Sequence, residues 1–205
     1  MDTDRLSTRD RVALSVALLL VAVALAGVGA FAAFTSSAGV SQSITSGTVT
    51  IALGATGTSA NRLNVDATGV MPGDTIQRAV TVSNTGNQDF ASITLTTAAS
   101  PSTLLDTDAT DGLHMLIERC SVAWTEGGSA PAYTYTCSGS TSTALSSRAI
   151  IGSGLALSNL TITSGATNHL RVTVSLPSSA GNTLQGLSST ITYTFTGTQR
   201  AGTSR

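Results

Sequence analysis

The chain has no lysine. All ten of its basic residues are arginine, set against eleven acids for a formal net charge of −1 over 205 residues. Three of the arginines (Arg5, Arg9, Arg11) precede a long apolar run, where Asp2, Asp4 and Asp10 balance them. The remaining seven face eight acids, which supplies no basic stripe for phosphate neutralisation and argues against a nucleic-acid partner. Charged residues are only 10% of the chain and apolar ones 41%, the reverse of a disordered composition. Aromatics stand at 4%, so a core must come mostly from Val, Ile, Leu and Ala, which suits two thin packed sheets. Reactive side chains are as sparse. With two histidines and two cysteines there is no H-E-x-x-H, no C-x-x-C and no G-x-S-x-G, and no cofactor is expected.

One long hydrophobic run is present. Residues 12–33 carry Ser15 as their only polar side chain, a length sufficient to span a bilayer. The run ends in Gly27, Gly29, Ala30, Phe31, Ala32 and Ala33, a small-residue exit typical of a cleaved secretory signal. Ala30 and Ala32 fit the −3 and −1 positions for cleavage after Ala32, whereas cleavage after Ala33 places Phe31 at −3. A retained anchor is the alternative. Residues 34–46 are small and polar apart from Phe34, Val40 and Ile44, too little apolar surface to order alone.

From residue 47 the pattern turns to alternation. Residues 48–53 put Val49, Ile51 and Leu53 on one face, a period-2 strand. The Met71-Pro72-Gly73-Asp74 turn predicts flanking strands at 62–68 and 75–83, the second with Ile76, Val80 and Val82 on one face. A turn at 84–87 leads into a strand at 90–97. Residues 100–112 do not read as strand. Residues 113–124 do, and 133–137 are expected to pair with them across a turn at 127–131. Residues 138–147 read as loop, followed by strands at 155–163, 167–176 and 189–197. In the last, Ile191, Tyr193 and Phe195 oppose Thr190, Thr192, Thr194 and Thr196. The expected fold is all-β, an antiparallel sandwich or jelly roll over 47–199, preceded by an apolar signal helix at 1–33 and a flexible segment at 34–46, with a tail at 200–205.

Few residues invite chemistry. Cys120 and Cys137, in an exported chain, read as a disulfide closing a loop of roughly 18 residues, worth about 3 kcal/mol in the chain-entropy view. Asp106, Asp108 and Asp111 with Gly112 resemble a calcium loop, but the twelfth position is Ile117 rather than a glutamate, so a solvated acidic turn is the competing reading. His114 and His169 lack ligand spacing and read as rim residues of strands.

Three blocks carry a family resemblance. They are Gly27–Leu53 (GVGAFAAFTSSAGV…SGTVTIAL), Met71–Gly86 (MPGDTIQRAVTVSNTG) and Gly165–Gln199 (GATNHLRVTVSLPSSAGNTLQGLSSTITYTFTGTQ). In order and spacing the chain resembles the TasA/camelysin-like secreted proteins of bacterial surfaces and biofilm matrices, over a little more than a third of its length. The resemblance implies a jelly roll and a dedicated signal peptidase cutting just before Phe34. It further implies extracellular fibres in which the N-terminal segment is donated to the next subunit through Phe34, Val40 and Ile44. Partners would then be copies of itself, with membrane contact only through the uncleaved signal. The chain departs from the family in lacking lysine and in its cysteine pair. A tethered surface or adhesion module is the alternative reading, and a metallopeptidase, as some camelysin-like members are labelled, a third.

Overall fold

The computed structural model describes residues 48–202 apart from 65, 67 and 68. The signal segment, the cleavage region at Ala30, Ala32, Ala33 and Phe34, and the anchors Phe34, Val40 and Ile44 lie outside the described residues. Within them no helix is long and apolar enough to cross a membrane.

The strands are β1 (Ile51–Leu53), β2 (Thr75–Asn84), β3 (Phe90–Ala99), β4 (His114–Cys120), β5 (Thr125–Ser129), β6 (Ala132–Thr136), β7 (Thr141–Ala149), β8 (Gly152–Ala156), β9 (Thr167–Ser175) and β10 (Ile191–Gln199). One helical turn, α1 (Leu104–Thr107), and a 3₁₀ turn at Asn182–Leu184 interrupt them. A five-stranded sheet runs β1-β2-β9-β4-β7 and a three-stranded one β10-β3-β8, every pairing antiparallel. Their facing side chains form one apolar cluster: Val80 and Val82, Met115 and Ile117, Leu170 and Val172 meet Ile93, Leu95, Leu155 and Phe195. This is the antiparallel sandwich expected from the alternation, with its core built from aliphatic residues.

A third layer was not expected. The β5–β6 hairpin lies on the other side of the large sheet, where Trp124 and Tyr135 pack on Ala79 and Cys120 in a second, smaller core. The large sheet is therefore covered on both faces along β2, and Ala79, assigned by alternation to the outward face, is 3% exposed.

Four local expectations are corrected. The described residues of the expected strand at 62–68 (62–64 and 66) form none. Asn61 makes a single bridge to Val80, and its Oδ1 then accepts from the Leu63 N–H, turning the chain off the sheet. Residues 133–137 do not pair with 113–124: β6 pairs with β5, where Gly127 and Gly128 face Thr134 and Tyr133 and leave a turn tighter than 127–131, while β4 pairs with β7 and β9. Residues 138–147 hold most of β7, an edge strand mostly of small polar residues, because Ala144 and the partly buried Leu145 supply its apolar contacts and β4 supplies the backbone partners. The strand expected at 155–163 is instead β8, ending at Ala156. Asn159 has φ of 58°, a left-handed conformation that breaks extended structure.

Turn chemistry follows the sequence where a residue type requires it. Gly73 has φ of 95° in the Met71–Asp74 turn, and the Asp74 side chain accepts from the Met71 N–H at 2.8 Å.

Candidate functional site

Two places collect what a surface protein can use: the polar clamp under the β5–β6 hairpin, and the edges of the sandwich.

The clamp is assembled from side chains that alternation directs to the outer face of the large sheet. Arg62 holds Glu126 of β5 with two parallel bonds, Nε to Oε2 at 2.9 Å and Nη2 to Oε1 at 2.6 Å. The Tyr135 hydroxyl donates to the same carboxylate at 2.9 Å. The hydrogen bond from Arg62 holds the Glu126 carboxyl below its ordinary range, against a partly opposing effect of burial. Burial, followed by the Glu126 bond, pushes the Tyr135 phenol up to about 12. Arg171 of β9 pairs with Glu118 of β4, donates to the Tyr135 carbonyl at 3.0 Å, and stacks 4.5 Å from the centre of the Trp124 ring. Trp124 Nε1 in turn donates to the His169 carbonyl at 3.0 Å. The Cys120–Cys137 disulfide, with Cα atoms 5.7 Å apart, ties the end of β6 to the end of β4. Both arginine–carboxylate pairs thus lie between the hairpin and the sheet, and the arrangement fastens the one to the other.

Beside the hairpin tip, Asp74, Ile76, Gln77, Arg78 and Tyr133 line a small cleft. Arg78 is 5% exposed, donates to the carbonyls of Gln77 and Asp66, and has its pKa lowered by burial.

The acidic turn is organised around protein donors. Asp106 is the third residue of a capping box with Thr103. Its carboxylate accepts from Ser102 Oγ at 2.6 Å, the Thr103 N–H at 2.7 Å and Ser189 Oγ. Burial alone raises its pKa, and those hydrogen bonds outweigh it to leave the value lowered. Asp108 accepts from the Thr110 and Asp111 N–H groups, and Asp111 accepts from Ser179 Oγ at 2.7 Å. Asp106 is thus buried among donors of the loop and the turn before β10, while Asp108 and Asp111 are partly exposed.

The histidines sit apart. His114 pairs with Ser175 at one end of the β4–β9 ladder and His169 with Cys120 at the other, roughly 20 Å away at the usual strand rise. Burial, with Arg119 nearby, lowers the His169 pKa. Among the described residues no three His, Cys, Asp or Glu side chains come together as a metal-binding group.

The edges differ in how they are finished. β1 has three residues, and β8 has five with a register shift against β3. β7 has nine, but Ser158 N–H donates to the Ala144 carbonyl at 2.9 Å and Asn159 Nδ2 to the Thr143 carbonyl at 2.8 Å. β10 also has nine residues, pairs only with β3, and has no hydrogen bond along its other side among the described residues.

The cysteine pair is legible in the sequence, as the structure bears out. Sequence reasoning missed Arg62, Glu118, Glu126 and Trp124 as members of one cluster, since partners 53 and 64 positions apart leave no local signal. A search of the curated proteins finds no match. The family model described as camelysin metallo-endopeptidase matches residues 7–204, nearly the whole chain. The chain belongs to the camelysin metallo-endopeptidase family.

Proposed function

We propose that this protein is an exported, non-enzymatic subunit of a bacterial surface or biofilm-matrix fibre. A signal peptidase releases it just before Phe34. Residues 34–46 of one copy are then donated to a sheet edge of the next, with Phe34, Val40 and Ile44 entering apolar positions. The observation that carries this reading is that the described residues hold an apolar core between two sheets while β10 pairs on one side only. An open edge accepts a strand through main-chain hydrogen bonds, and a donor from a second copy gives a head-to-tail contact that propagates. Family membership supports export to the surface.

The test compares the chain starting at Phe34 with one starting at Gly47 by electron microscopy and size-exclusion chromatography. Filaments from the first and monomers from the second are expected. Monomers from both would remove the mechanism and leave a tethered surface module as the better reading.

The family's printed description favours a second reading, a metallopeptidase. The separation of His114 from His169 weighs against it. Proteolysis of a casein substrate that is abolished by a chelator would establish it.

A further inference from the structure

We infer that the acceptor is the free edge of β10, and that residues 34–46 of a second copy extend the three-stranded sheet as its fourth strand. This rests on the fibre reading above and adds to it the surface that receives the donor.

The first support is elimination among edges. A donor gains affinity in proportion to the main-chain bonds it can form, and three or five residues on β1 or β8 offer few. On β7 the Thr143 and Ala144 carbonyls are already occupied by Asn159 and Ser158. β10 offers nine residues and, among the described residues, no hydrogen-bonded partner on its other side, where the short β1 approaches it.

The second support is pattern. Along β10, Ile191, Tyr193 and Phe195 turn to the core and Thr192, Thr194, Thr196 and Thr198 to solvent. Ile191 and Tyr193 are only partly buried, so the apolar layer is unfinished on that side. Residues 34–46 place all their larger apolar side chains on one parity. Phe34, Ala38, Val40 and Ile44 share it with Ser36, Gln42 and Ser46; Thr35, Ser37, Gly39, Ser41, Ser43 and Thr45 share the other. Laid beside β10, the segment continues the apolar layer with its first set and the hydroxyl face with its second. No charge lies in the segment or in β10, so pairing buries no unmatched ion.

The third support is reach. Thirteen residues exceed the nine of β10, which span about 30 Å at the rise of an antiparallel strand. The described chain begins at Thr48, fixed to Asn87 by its N–H at 2.6 Å. That point lies beside Gln88, which Arg200 grips just beyond β10. The described chain thus begins beside one end of the acceptor edge.

Cysteine pairs on adjacent strands oxidise readily, because facing Cα atoms lie within disulfide range. One population of the full chain, expressed for export, carries Ser41→Cys. A second carries Thr192→Cys, Thr194→Cys, Thr196→Cys or Thr198→Cys in turn, scanning every register on the hydroxyl face. A control population carries Ser146→Cys on β7. Mixed populations are assembled, oxidised and run without reductant. A thiol-reversible dimer with one of the four β10 variants, and none with Ser146→Cys, is the expected result. Dimer with Ser146→Cys instead, or filaments that cross-link at no β10 position, overturns the β10 assignment while the fibre reading stands. The second of those outcomes also covers pairing of each segment with its own β10, since donor and acceptor cysteines are on different chains. If the unmodified chain forms no filaments, the fibre reading falls and the acceptor with it.

Discussion

Asp106 shows how a residue that reads as a ligand becomes a fastener. It is 2% exposed and meets three donors. Its pKa lies below the ordinary value of 3.8, so the ionised form is favoured by folding. The stability it contributes is therefore complete above that ordinary value and is lost as pH falls through the lowered one. Asp106→Asn keeps the shape and removes the charge, and is expected to cost about 1–3 kcal/mol in urea unfolding at neutral pH. The same substitution should flatten the acid limb of the stability curve. Tyr135 acts at the other end of the scale. Its neutral form is favoured, with the pKa moved from 10.0 to about 12, so its contribution is intact below pH 10 and disappears as pH rises through about 12. Tyr193 is moved likewise by burial. Thermal melts between those limits should fall in the parent and fall less steeply in Tyr135→Phe and in Tyr193→Phe. Leu170, fully buried between the sheets, should lose about 2–5 kcal/mol on replacement by alanine.

At the scale of elements, the β5–β6 hairpin is the addition that distinguishes this sandwich. It is held by one disulfide, two arginine–carboxylate pairs and a small core. Replacing Cys120 and Cys137 together by alanine removes a cross-link between positions 17 apart, worth about 3 kcal/mol. Hydrogen exchange should then quicken first in β5 and β6, while β9 amides keep their protection; uniform quickening would mean the hairpin is not a separate unit. Sequence and structure agree best where alternation is strong. Leu170, Val172 and Val174 on β9, and Ile191, Tyr193 and Phe195 on β10, stand on the faces that period 2 assigns. Agreement fails where neighbours decide. The serines and threonines of β7 have no apolar face to announce a strand, and they extend because β4 offers its edge. Gly127 and Gly128 look like turn residues and are held in β5 by Thr134 and Tyr133 across the ladder. The disulfide was legible because only two cysteines exist; the clamp was not, because Arg62 and Glu126 are joined only by the fold.

For the whole molecule, the question is what finishes the sandwich. Gly197 illustrates how closely the last strand sits on its neighbour: a Cβ there would lie 2.6 Å from the Phe90 ring. Gly197→Val should therefore push β10 from β3, lowering thermal stability and, on the reading proposed above, filament yield together. The outer side of the same strand has a different consequence. Thr194 faces Thr96 and Thr196 faces Thr94, with Thr198 beside Ser92, giving a patch of hydroxyls and methyls without a single ionisable group. Such a surface is wetted by neutral hydrogen bonding and not by an ion atmosphere. Its interactions with the surroundings should consequently be almost indifferent to ionic strength, from dilute water to brine, whereas a lysine-rich matrix protein would respond to every change of salt.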